Sequence, residues 1–197
     1  YIGGMITAVN RNAGEEHLAF LHKSAYTGGI DFVHKWKEKA WQFETSLYGS
    51  RVAGDTAAIS RTQKAWTHLF QRPDAENLRF DSTRTSLAGH GGKIVIGEYG
   101  GNWKFLAAAT WKSPGLELND VGYLRETNNI LQVLWTGYHK HDPFSIFNNM
   151  YLNMNQWTEW DFSGKFLSSG GNVNLSTTFR NYWSFFFSSN ISGESVS

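Results

Sequence analysis

Imidazole, carboxylate and indole groups that fall close together are the places where this chain could do chemistry. His139 and His141 share a face if their segment is extended, with Asp142 adjacent. Two imidazoles and a carboxylate could ligate a metal. The competing reading is a solvated turn before Pro143, and it is preferred, so no metal or other cofactor is expected. Trp157-Thr158-Glu159-Trp160-Asp161 sets two carboxylates on one strand face beside indoles able to stack on sugars. Glycoside hydrolysis needs paired acids about 5 to 9.5 Å apart, and two residues along a strand span about 7 Å. An aromatic-rich external loop is the commoner use of such a segment. Arg72, Asp74, Asp81 and Arg84 concentrate charge in one long connector. Carboxylate–Arg pairs there would fix the loop, or contact a ligand. Gly89-His90-Gly91-Gly92-Lys93 lacks the GxxxxGK[S/T] spacing of a phosphate loop. No GxSxG turn marks a nucleophile, and no catalytic residue is assigned.

The composition narrows the partners. With 18 Lys+Arg against 17 Asp+Glu there is no concentrated basic charge, so nucleic acid is not expected. The absence of cysteine removes disulfides, thiolate nucleophiles and Cys-type zinc sites. Charged residues are 18%, against about 25% in ordinary domains, while aromatics reach 16%, including 9 Trp. No run of about 18 apolar residues suggests a transmembrane helix. The start at Tyr1-Ile2-Gly3-Gly4 and the polar end suggest a mature or partial chain.

The elements that must position these residues are mostly strands. Tyr26, Gly28, Ile30, Phe32 and Trp36 alternate with Thr27, Asp31 and Lys35. Trp41, Phe43 and Leu47 continue the pattern, then Trp103 to Trp111, Phe144 to Met154 and Val173 to Phe187. Two-residue periodicity of this kind predicts about eight long strands. The connectors alternate in length: Asn10–Ser24 long, 37–40 short, Ala53–Gly92 long, 100–102 short, Ser113–Val121 long, His139–Pro143 short, Trp157–Gly171 long. Membrane barrels combine tight turns at one end with larger external loops at the other. Trp36, Trp41, Tyr99, Trp103, Tyr138 and Phe144 flank the short turns, where a lipid–water girdle would place them. Cross-strand packing in any sheet would also put rings at hairpin ends. Within the plug-like insertion around 53–92, Ala58, Ile59, Thr62, Ala65, Trp66, Leu69 and Phe70 recur at helical spacing before Pro73. A strand over 59–70 is the alternative.

Several motifs carry a resemblance. Gln71-Arg72-Pro73-Asp74-Ala75, Asp81 to Gly89, Gly115 to Gly122 (GLELNDVG) and Asn172 to Trp183 (NVNLSTTFRNYW) cover most of Arg51 to Phe187. They resemble an uncharacterised outer-membrane β-barrel family of Bacteroidetes-type envelopes, often found after a family-9-like carbohydrate-binding domain. The resemblance implies a membrane barrel of unestablished role and supplies no catalytic residue.

The expectation is therefore an all-β, antiparallel up-and-down transmembrane barrel, or a section of one, over 1–197 in the bacterial outer membrane. Its partners would be membrane lipid, other outer-membrane or periplasmic subunits, and oligosaccharide. Its role would be passage, docking or retention of envelope substrates through the loops, with Arg72, Asp74, Asp81, Arg84, Trp157, Glu159, Trp160 and Asp161 as ligand or loop contacts. A soluble secreted carbohydrate-binding β-domain with Trp platforms is the alternative, and a glycoside hydrolase the third reading.

Overall fold

The computed structural model describes residues 1–12, 18–73 and 77–195. Nine strands and one helix follow in chain order: β1 (Ile2–Asn10), β2 (Ser24–Trp36), β3 (Trp41–Ala53), α1 (Thr56–Lys64), β4 (Ser86–Glu98), β5 (Trp103–Lys112), β6 (Asn129–Lys140), β7 (Phe147–Trp160), β8 (Phe166–Phe179) and β9 (Ser184–Glu194). Each strand pairs antiparallel with its sequence neighbours in one sheet, ordered β1 to β9.

The alternation read from the sequence does separate two faces. Trp36 pairs with Trp41, Ile30 with Leu47, Phe43 with Ile96 and Ala107 with Leu134, so these residues share one apolar face. The opposite face carries Ser46, Lys93 and Thr110, then Asn155 opposite Asn172 and Asn153 opposite Asn174. The apolar face has no covering layer among the described residues, and Ile30, Leu47, Ile94 and Leu134 are exposed on it. The accessible surface of 12020 Å² exceeds the roughly 9,400 Å² expected of a compact chain of this mass. A one-layer sheet accounts for the excess.

The closed transmembrane barrel is overturned. Among the described residues β1 pairs only with β2 and β9 only with β8, so the sheet is open. Nine up-and-down strands leave the first and last parallel, and a seam between them would break the antiparallel ladder. An open edge carries unpaired backbone N–H and C=O groups, which a hydrocarbon interior does not tolerate. Membrane lipid as partner, outer-membrane or periplasmic subunits inferred from a barrel, and outer-membrane localisation rested on closure and fall with it. No described helix is long and apolar enough to cross a membrane. Passage through a barrel is likewise withdrawn.

Two local corrections accompany this. Trp157–Gly171 is not a long loop: β7 and β8 run through it and turn at 161–165. The run from Val173 to Phe187 is two strands, folded back at 180–183. The long 53–92 segment is an insertion only over 54–85, because 86–92 already belong to β4.

The core lies at one end of the polar face. Ala25, Val52 and Leu87 from three adjacent strands meet Ile59, Phe70 and Leu78 from the insertion, with Val9, Phe80 and Val121 packed around them. α1 buries Ala58, Ile59, Thr62 and Gln63, the adjacent pairs one turn apart that a one-sided helix offers. Gln63 is fully buried and clamps the following loop: its Nε2 donates to Asp81 O at 2.8 Å and its Oε1 accepts from Asp81 N at 3.0 Å. The helix predicted through Phe70 stops at Lys64. Ala65 turns extended with ψ 149°, and that break directs Trp66 into solvent.

The connector between β5 and β6 closes the cap. It crosses β4 so closely that a Cβ on Gly89 would collide with the backbone of Gly115 and Leu116, and one on Gly115 with Ala88 O. Glycine at both positions permits that crossing, and Leu116 is fully buried there.

Candidate functional site

The cap and the end of the sheet enclose clefts around Trp66, whose ring is 68% exposed. On one side, a cleft of about 180 Å³ is lined by Trp66, Thr67, Arg72, Asn129, Glu159 and Asp161 among others. On the other, a wider cleft of about 530 Å³ is lined by Phe20, His22, Arg61, Trp66, Asp120 and Tyr123 among others. Tyr123 is 75% exposed. A shallow hollow beside Trp66 adds Arg125 and Glu126. A fourth cavity, of about 290 Å³ between β1–β3 and Leu118–Gly122, is walled mainly by apolar atoms. Thr27, Asp31 and Ser46 are among its lining residues, yet little polar surface faces the space.

Three of the residues predicted to contact a ligand, Arg72, Glu159 and Asp161, are brought together in the smaller cleft. The others are not. Trp157 lies on the polar face with its ring across Gly170 of β8, and Trp160 sits on the apolar face opposite Ile130. Asp81 is a turn residue: its Oδ1 accepts from the Thr83 hydroxyl at 2.7 Å and the Thr83 N–H at 2.9 Å. Those bonds, aided by Arg84, hold its carboxyl below the ordinary range. Arg84 stands 3.8 Å from Asp81 and above the Phe70 ring. Asp74 lies outside the described residues. Glu159 and Asp161 do not form the predicted acid pair on one strand. Glu159 accepts from Asn129 at 3.0 Å, whereas Asp161 is buried in the turn, accepting from the N–H groups of Ser163 and Lys165.

The metal candidates have other occupations. His139 Nε2 meets Asn153 Oδ1 at 2.9 Å, His141 Nδ1 meets the Tyr151 hydroxyl at 3.1 Å, and Asp142 faces Lys140 at 3.6 Å. Among the described residues no cluster of three His, Cys, Asp or Glu could hold a metal. Five of the six aromatics at the short turns pack against neighbouring rings instead of forming a lipid girdle around a barrel. Trp36 stacks on Trp41 at 5.7 Å, Trp103 meets Tyr138 at 5.0 Å and Phe144 meets Phe147 at 5.4 Å. Tyr99 is bonded through its N–H to Ala40 O. Cross-strand packing explains these positions.

Two imidazole–carboxylate pairs, not foreseen, lie beneath the clefts: His22, Asp120 and Glu117 line the wider one and His68 the smaller. His22 Nδ1 contacts Asp120 Oδ2, while its Nε2 is 2.7 Å from Thr62 Oγ1. Arg11 donates to the other Asp120 oxygen at 2.5 Å. The order Thr–His–Asp resembles a nucleophilic triad, but the Thr62 hydroxyl also reaches Ala58 O at 3.1 Å. His22 Nε2 and Ala58 O compete for that hydroxyl proton, since with Nδ1 donating to the Asp120 carboxylate a neutral His22 presents Nε2 as an acceptor. His68 is fully buried between Pro114 O and Glu117 Oε2, each at 2.9 Å. Glu117 also accepts from the Asn119 N–H at 2.6 Å. Burial alone would push the Glu117 carboxyl up. The bonds from His68 and Asn119, with the imidazoles nearby, outweigh it and hold the carboxyl below its ordinary range. Asp120 behaves alike, with burial opposing and His22 and Arg11 prevailing. These pairs bind the β5–β6 connector to the segment before β2 and to the turn after α1.

The partners are 98 residues apart for His22–Asp120 and 49 for His68–Glu117, so no local spacing pointed to them. The one available signal was GLELNDVG, which contains both acids. Trp66 fell on the apolar stripe of a longer predicted helix and was assigned to its packed side.

An open antiparallel meander with a helix-and-loop cap at one end of its polar face defines an all-β scaffold that presents clefts around an exposed indole. Within that class the chain matches, over residues 21–196, the family described as a domain of unknown function (DUF5916), and it belongs to that family. The outer-membrane barrel family suggested by the motifs is replaced by this membership, whose description assigns no function, and the open sheet does not support a barrel. No curated protein and no solved structure matches.

Proposed function

We propose that this domain binds carbohydrate at the Trp66 clefts and does so without turnover. The supporting observation is the exposed Trp66 ring standing between two polar clefts, with Tyr123 at the rim of the wider one. A flat apolar ring accepts the C–H face of a sugar, while nearby guanidinium, amide and hydroxyl groups address its hydroxyls. The carboxylates of the clefts favour binding over hydrolysis. Glu117, Asp120, Glu126, Glu159 and Asp161 are each held by internal donors, which leaves no matched acid and nucleophile across a scissile bond.

Titration calorimetry or gel retardation against a panel of soluble polysaccharides tests the proposal. Trp66→Ala should weaken binding by about 2 kcal/mol, roughly 30-fold in Kd, as expected of a central aromatic contact. Trp157→Ala, already packed on Gly170, should leave affinity nearly unchanged. Equal loss in both variants, or binding that ignores Trp66, would place the ligand elsewhere.

A further inference from the structure

Resting on that reading, we infer that the saccharide is anionic, a polymer bearing carboxylate or sulfate groups engaged by Arg61 and Arg125 around Trp66. Each acid of the wider cleft and the shallow hollow already has a basic partner. Asp120 has Arg11 and His22, Glu117 has His68, and Glu126 has Lys112 at 3.4 Å. Two cations there lack such an answer. Arg61, on the solvent side of α1, and Arg125, in the β5–β6 connector, are exposed. Among the described residues neither makes an ion pair or a hydrogen bond.

Arg61 is also pre-positioned. Its guanidinium lies over the Phe20 ring at 5.1 Å, a contact that consumes none of its N–H donors. Those donors match the two oxygens of a carboxylate or sulfate. Arg61 shares the wider cleft with Trp66, and Arg125 shares the shallow hollow with it. A sugar lying on the indole therefore meets a guanidinium toward either side. Lys64, the other cation at the end of α1, is turned over Phe80 at 4.6 Å. The chain's net charge of only +1 makes this a local arrangement, not a general attraction for polyanions.

The test compares polygalacturonate with the same polymer fully methyl-esterified, beside dextran sulfate, dextran and polyglutamate. It uses the whole chain, Trp66→Ala, and the double variant Arg61→Gln/Arg125→Gln. Both arginines are exposed, so the double variant should keep the wild-type circular dichroism and melting temperature. We expect polygalacturonate or dextran sulfate to bind at least tenfold tighter than its uncharged counterpart. That preference should disappear in the double variant and shrink in 0.5 M salt, while Trp66→Ala weakens charged and neutral polymers alike. Whichever polyanion binds identifies carboxylate or sulfate as the group recognised. Equal binding of charged and neutral polymers, unchanged by the double variant, would overturn the charge assignment and leave carbohydrate binding standing. Polyglutamate binding as tightly as polygalacturonate would reduce the site to a patch for any polyanion and overturn it too. Failure of every saccharide would remove the carbohydrate reading itself.

Discussion

At the residue scale, the cap is held by charges taken partly out of water. Glu117 and His68 are 5% and 0% exposed at their side chains, so removing one partner leaves the other buried and unanswered. Glu117→Ala should cost about 3–5 kcal/mol in urea unfolding. The acids also set a pH dependence. The folded pKa values of Glu117 and Asp120 lie below their ordinary ones. The stability they contribute is thus full above about pH 4–5 and is lost as pH falls through the depressed values. The urea midpoint should fall between pH 6 and pH 3, and fall less in Glu117→Gln/Asp120→Asn; an equal fall in both would assign acid sensitivity to other groups. These residues also mark how far the sequence could be read. Arg72, Glu159 and Asp161 were singled out because they lie near other charged or aromatic residues, and the fold gathers them along one cleft. His22, His68, Glu117 and Asp120 meet only through long-range folding, and a single sequence does not display such meetings.

At the element scale, alternation assigned strand faces well because each residue's side follows from its parity alone. Helix extent was harder. The apolar spacing of Ala58 to Phe70 suits a continuous helix, yet the extended Ala65 divides it and turns a residue of the apolar stripe into an exposed ring shared by the clefts. Connector lengths were legible through the 113–128 connector and misleading at Trp157–Gly171, where three Gly and three Ser give strand segments of β7 and β8 the composition of a loop. Glycines gave no face information, yet two of them decide how the cap docks. Gly89→Ala should cost about 1–3 kcal/mol, since the added methyl pushes into backbone that cannot swing aside. Gly193→Ala is the control, because nothing lies within 4 Å of the added atom. Comparable urea midpoints for the two variants would show that the connector is not pressed against β4.

At the scale of the whole molecule, the question is whether the two ends of the sheet meet, and no local pattern answers it. An apolar face backed by a polar face appears in an open meander and in a closed barrel alike, because alternation records only what each strand does. The decision lies in the edges. β9 is exposed at every residue, and half the backbone groups of an antiparallel edge strand point away from its single neighbour. β5 has β4 on one side and β6 on the other, so its amides are bonded in both directions. Hydrogen exchange measured on peptides should therefore show about half the amides of β9, and many of β1, exchanging early, while those of β5 persist until global unfolding. A seam between the ends would leave β1 and β9 as protected as β5, and the open-sheet architecture would then be wrong.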